Sequence, residues 1–288
     1  MAFVQSLIHF FTSNLIAILA LWMGVSFDKY EVRKVLSHRV VIRALILSLL
    51  IVPVIGIVVA KVFPLRPVAS GLIVLMAISP GVPLLTIGTL TRKYLSTSAA
   101  MAVSVMLTLA SIISVPIWTA ILGLVFPTKL EASPFTVFSV VFPKIAIPFF
   151  LGWALREFAP VVAKRIEPYV GKVFWGLIAL VLVGLILTSY RLVGQIHFVG
   201  FAAMVVVILA SAFAGDLMGR PKLEDRMLLG SAAIYGNPAV ALAIAHVNFP
   251  SLKLGPAVAV YILLRVVTFR PYILWMNYEY EHRPARLA

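Results

Sequence analysis

The chain has 288 residues, 62% of them hydrophobic and only 12% charged, with a mean hydropathy of +1.08. Soluble domains sit nearer half apolar and a quarter charged, so this composition excludes an ordinary soluble core and points to lipid as solvent. The net charge of +14, from 24 Lys+Arg against 10 Asp+Glu, does not signal nucleic acid. The cations fall in short clusters between apolar runs, where positive-inside topology and anionic headgroups account for them. There is no Cys, which removes disulfides, thiol nucleophiles and thiolate metal sites. No hydrophilic stretch is long enough for a soluble domain, so residues 1–288 read as one transmembrane domain.

A bilayer core of roughly 30 Å takes about 20 apolar residues as helix. Nine segments qualify in chain order: Phe3–Phe27, Val40–Phe63, Val68–Leu90, Ser96–Phe126, Phe135–Leu155, Val170–Tyr190, Phe198–Leu217, Met227–Val247 and Leu254–Met276. The first is too long for the apolar core of a signal peptide and lacks an A-x-A site after it. Ten-residue alternation is absent, so a β-barrel is excluded. The fold class is all-α and polytopic.

Lys and Arg set the orientation. One set of loops carries Lys29, Arg33, Lys34, Arg39, Arg43, Arg92, Lys93, Arg156, Lys164, Arg165, Lys172, Arg220, Lys222, Arg226, Arg283 and Arg286. The other carries Lys61, Arg66, Lys129, Arg191 and Lys253. The first set is therefore expected in the cytoplasm of a cell, inner or plasma membrane, with the N-terminus outside and the C-terminus inside.

Two of the nine helices are interrupted at their middles. The third carries Ser79-Pro80-Gly81-Val82-Pro83, and the eighth carries Gly236-Asn237-Pro238. Either alone reads as a proline kink, which membrane helices tolerate. Two breaks five helices apart cross the membrane in opposite directions, the layout of an inverted repeat with a midplane binding site. Ser79, Thr86, Thr89 and Thr91 surround the first break, and Tyr235 and Asn237 the second. Such side chains either contact a ligand or bond back to the i−4 carbonyl. Asn237 is the strongest candidate, because its amide needs partners in lipid.

These residues resemble the bile acid:sodium symporter (BASS) family of secondary transporters. That family carries an S-P-G-G break and a Gln-Asn pair; here the positions read Ser79-Pro80-Gly81-Val82 and Gly236-Asn237. A third match is Ile147–Pro160, similar to the family's P-x-x-L-G-x-x-L-R element. The resemblance implies core and panel domains with substrate in the crevice between them. It also implies sodium ligands that this chain lacks. The family's glutamate five residues before the Asn is Ala232, its glutamine is Gly236, and its Ser-Asn pair falls at Leu85 and Thr86. Sodium coupling through those sites is therefore not expected. No other cofactor is implied, and no metal site is assigned.

Two cations lie deep in the spans: Lys144 in the fifth and Arg265 in the ninth. Each either attracts a carboxylate or sulfonate, or occupies a cation site permanently. Alternatively, Lys144 snorkels, and Arg265 caps carbonyls or reaches Asp216. His246 reads as interfacial, and Tyr30, Trp153, Trp175 and Trp275 as an aromatic belt. No H-x-x-E, Asp pair or Ser-Lys dyad sits in a span, so an intramembrane enzyme is not expected. No G-x-x-x-x-G-K motif points to an ATP-driven pump. The reading is a secondary active or facilitative transporter of a small organic anion by alternating access. Another inverted-repeat carrier of the auxin-efflux type, a channel and a non-transporting receptor are the alternatives.

Overall fold

The structure, a computed structural model, describes residues 2–27, 29, 39–81, 97–126, 133–248 and 254–282. All regular structure among the described residues is helical. Six helices are long and apolar enough to cross a membrane: Arg39–Val62, Ala99–Val125, Pro134–Phe158, Ile196–Gly219, Leu223–Ala245 and Ala257–His282. They fall on the expected second, fourth, fifth, seventh, eighth and ninth spans.

We label the helices α1 (Ala2–Val25), α2 (Arg39–Val62), α3 (Pro67–Ala77), α4 (Thr97–Val125) and α5 (Pro134–Phe158). They continue as α6 (Pro160–Gly219), α7 (Leu223–Ile234), α8 (Pro238–Asn248) and α9 (Gly255–His282). The sixth and seventh expected spans are not parted by a loop at Arg191. Helical structure runs on past Tyr190, and α6 breaks instead at His197, which takes φ 55° and ψ 162°. That residue closes the gap, 191–197, between the expected sixth and seventh spans, with Gly194 and Gly200 three residues to either side.

Local chemistry explains the departures from regular helix. α2 contains a π-helical turn, Leu47–Ile51. Just beyond it Pro53 has no N–H for the Leu49 carbonyl, and the indole of Trp118 on α4 donates to that oxygen at 2.7 Å. α1 and α5 meet backbone to backbone. A Cβ on Gly24 would stand 2.1 Å from the Phe149 carbonyl oxygen, and one on Gly152 2.4 Å from that of Leu21. Small residues allow this approach, which drives helix association where lipid offers no hydrophobic gain.

The interior is built around α3, α7 and α8. α3 is buried continuously from Leu72 to Ala77, and α7 from Arg226 to Ile234. A helix apolar on all sides belongs inside the protein rather than against lipid. α2, α5, α6 and α9, by contrast, keep large apolar side chains exposed, among them Leu50, Phe150, Phe213 and Val267. That is the surface expected of helices that face acyl chains.

Candidate functional site: the end of α3 against the α7–α8 break

α3 ends at Ala77 and the chain continues in non-helical form through Ser79, Pro80 and Gly81. α7 ends at Ile234, and Tyr235, Gly236 and Asn237 separate it from α8. The two breaks touch: the Asn237 backbone N–H donates to the Ser79 carbonyl oxygen at 2.7 Å. Ser79, Gly236 and Asn237 are all buried.

Each break frees backbone groups that low dielectric makes costly to leave unpaired, and most find local partners. The Ser79 hydroxyl donates to the Leu75 carbonyl at 2.6 Å. The Ala232 carbonyl, whose helical partner would be Gly236 N–H, accepts weakly from Ser48 on the π-turn at 3.4 Å. The Asn237 side-chain oxygen caps α8, accepting from Ala239 N–H at 3.0 Å and Val240 N–H at 3.3 Å. This is the N-cap role for which Asn is well suited. Pro80 has no N–H to return to Met76, so that carbonyl is left for another donor.

Glycine is required at both breaks, for different reasons. Gly81 has φ +101°, a backbone state that side chains disfavour, and a Cβ there would stand 2.7 Å from the Thr108 hydroxyl of α4. Gly236 is crowded rather than twisted. Its Cβ would meet the Met76 and Ser79 carbonyl oxygens at 2.7 and 2.9 Å, and Arg265 Nη2 at 3.2 Å.

The third element of the crossing is therefore Arg265, from α9. It is 3% exposed; its Nη1 reaches the Gly236 carbonyl oxygen at 3.4 Å, and its guanidinium lies 4.6 Å from the centre of the Tyr261 ring. A buried guanidinium over a tyrosine face gains about 2 kcal/mol or more. No acid pairs with it among the described residues. Three buried polar atoms of this region lack a partner: Arg265 Nε, Asn237 Nδ2 and the Thr108 hydroxyl. Two of the three are obligate donors, so the crossing holds positive charge and spare N–H groups.

Asp216, one of the sequence alternatives for Arg265, is committed elsewhere. Its carboxylate accepts from Arg226 Nε at 2.9 Å, from the Tyr272 hydroxyl at 2.9 Å and from Arg220 at 3.3 Å. Arg226 also reaches Glu279 at 3.0 Å, with its guanidinium 5.2 Å from the Trp275 ring centre. This network was not legible as such: the charge pattern placed Arg226 among loop cations, whereas it is 5% exposed. Tyr261 and Thr108 were missed as well. Their only signal is position, Tyr261 one helical turn before Arg265 and Thr108 within the fourth span.

Of the remaining predicted residues, Tyr235 is half-buried with its ring edge-on to Phe269 at 5.7 Å. Lys144 is half-buried on α5, and no ion pair reaches it among the described residues. Pro83, Thr86, Thr89 and Thr91 lie outside the described residues, as does the side chain of His246. Pro238 begins α8, where its fixed φ suits the first helical position.

A family model described as the sodium bile acid symporter family matches residues 15–196, well over half of the chain. The chain belongs to the sodium bile acid symporter family. It is thereby placed among membrane transporters, with a small molecule as substrate. The matched segment of this symporter-family chain contains the first break and Ile147–Pro160, and stops short of the second break and Arg265. A comparison with curated proteins finds no match.

Proposed function

We propose that this family member is a secondary or facilitative transporter of a small organic anion, working by alternating access about an inverted repeat of nine spans. The observation that carries the reading is the buried Arg265 guanidinium, unpaired with any acid among the described residues, bonded to Gly236 beside Asn237, whose Nδ2 lacks a partner. A charge buried in a membrane protein marks a substrate or ion pathway by default. A cation with spare donors selects carboxylates or sulfonates over cations and neutral solutes.

The proposed orientation places the N-terminus outside and the C-terminus in the cytoplasm. Polar contacts gather the basic set of loops at one end: Lys29 pairs with Glu157, Arg156 with Glu167 at 3.5 Å, and Arg43 donates to the Met218 carbonyl. Labelling of Lys129→Cys from outside intact cells is the expected result for that orientation.

The deciding experiment for function is initial uptake into proteoliposomes across a panel of labelled carboxylates and sulfonates, with neutral analogues as controls. Saturable uptake of at least one anion, lost in Arg265→Met, is expected. Uptake confined to neutral or cationic solutes, or unaffected by Arg265→Met, would sink the reading.

A further inference from the structure

The family's description implies a sodium ion, and broken half-helices are where a membrane carrier offers one oxygen ligands. The crossing does not fit a free cation. α3 and α7 both end there, so two helix C-termini present carbonyl groups and negative dipole ends to the same space. Met76 O, Ser79 O and Arg265 Nη2 all lie within 3.2 Å of the point where a side chain on residue 236 would begin. A guanidinium borders that space, its Nη1 3.4 Å from the Gly236 carbonyl oxygen. No carboxylate forms an ion pair with Arg265 among the described residues, so none stands ready to balance a second cation. Position 232 is an alanine, 3% exposed.

We propose that Arg265 is the resident cation of the crossing, a covalently tethered substitute for a dissociable sodium ion. Carbonyls freed by Pro80 and by the α7 break attract positive charge, and the Tyr261 face adds to that attraction without neutralising it. A sodium ion about 4 Å from the guanidinium would be repelled by an amount that weakens binding roughly a thousandfold. The tether removes the cost of recruiting an ion, so the crossing holds its charge at any external sodium concentration. Coupling of transport to a sodium gradient through this place is thereby excluded.

The test needs no substrate, so its outcome is independent of whether the anion-transport reading holds. The full chain is purified in detergent and its melting followed by tryptophan fluorescence, in sodium chloride against choline chloride at constant ionic strength. The native protein is expected to show no saturable sodium effect. Arg265→Ala is expected to melt lower, and millimolar guanidinium or sodium to restore roughly 5 °C in a saturable way. Tetramethylammonium, too large for the space, should restore nothing. Arg265→Lys keeps a charge and should remain insensitive to sodium. If Arg265→Ala yields no folded protein, Arg265→Gln is read in the same way. Failure of both neutral variants with Arg265→Lys intact is the same requirement for charge in its strongest form. Saturable sodium stabilisation of the native protein would overturn the proposal. So would indifference of the folded neutral variants to every small cation, or failure of Arg265→Lys alongside them.

Discussion

Two arginines are buried to nearly the same degree, Arg226 at 5% and Arg265 at 3% exposure, yet their surroundings are opposite. Arg226 sits near the end of its span, held by Asp216 and Glu279 with an indole beside it. Arg265 sits where the end of α3 meets the α7–α8 break, held by one long bond to a carbonyl and by a tyrosine face. The first is an ion-pair network, complete in itself, that ties α6, α7 and α9 together. The second keeps its charge unspent. Burial alone therefore says little about role; the company of carboxylates separates an arginine that fastens helices from one whose charge no acid answers among the described residues.

The contrast is broken most severely at the network. Asp216→Asn leaves Arg226 buried with Glu279 as its remaining acid and weakens the bonds from Arg226, Tyr272 and Arg220, and should cost about 3–4 kcal/mol. Thermal or denaturant unfolding in detergent measures it. Replacing both partners, Asp216→Asn with Arg226→Met, should recover part of the loss; no recovery would mean that the pair is not what the acid serves.

Next in size is Gly236→Ala, whose methyl group must displace the Met76 and Ser79 carbonyls. A loss of about 1–3 kcal/mol is expected from such overpacking, together with loss of anion uptake as the guanidinium is pushed from its place. A neutral effect on melting would show that the crossing is looser than the distances of 2.7 and 2.9 Å imply.

Arg265→Met sharpens the comparison directly. It removes a weak carbonyl bond and a cation–π contact but relieves the cost of burying a charge without an acid, so a net loss of about 1–2 kcal/mol is expected, clearly less than for Asp216→Asn. An equal loss would reveal an acid partner and erase the distinction drawn between the two arginines. Smallest is Ser79→Ala, expected to cost about 0.5–1 kcal/mol, since the hydroxyl bonds back to Leu75 within its own helix.

Depth was legible in the sequence and direction around a helix was not. Apolar runs about 20 residues long declare themselves, and prolines at 80 and 238 announced both breaks. That the breaks touch, through Asn237 N–H and Ser79 O, follows only from packing. The same limit left open whether Arg265 caps a carbonyl, as it does at Gly236, or reaches Asp216. Hydropathy puts Asp216 near the end of one span and Arg265 in the middle of another, but the nearer cation to Asp216 is Arg226, across the short α6–α7 connection. Arg226 read as a loop residue because it begins its span, and no periodicity marks a charge that packs inward. The boundary between the sixth and seventh spans was legible, since the break at His197 immediately precedes the expected start at Phe198; that helical structure runs through Arg191 instead of a loop was not.

The contact at Gly24 and Gly152 has a mechanical consequence. With a carbonyl oxygen of each helix lying where the other's first side-chain carbon would be, α1 and α5 have no lubricating layer of side chains between them. Sliding by even one residue would drive a larger group into a backbone oxygen. Shear along that seam is forbidden, and the two helices can only roll or tilt as a single lever. The salt bridge from Lys29, just past α1, to Glu157 in the last turn of α5 pins the same lever at its end. Any movement that exposes the crossing to one side of the membrane must then be taken up at other seams, with this pair travelling as one rigid body.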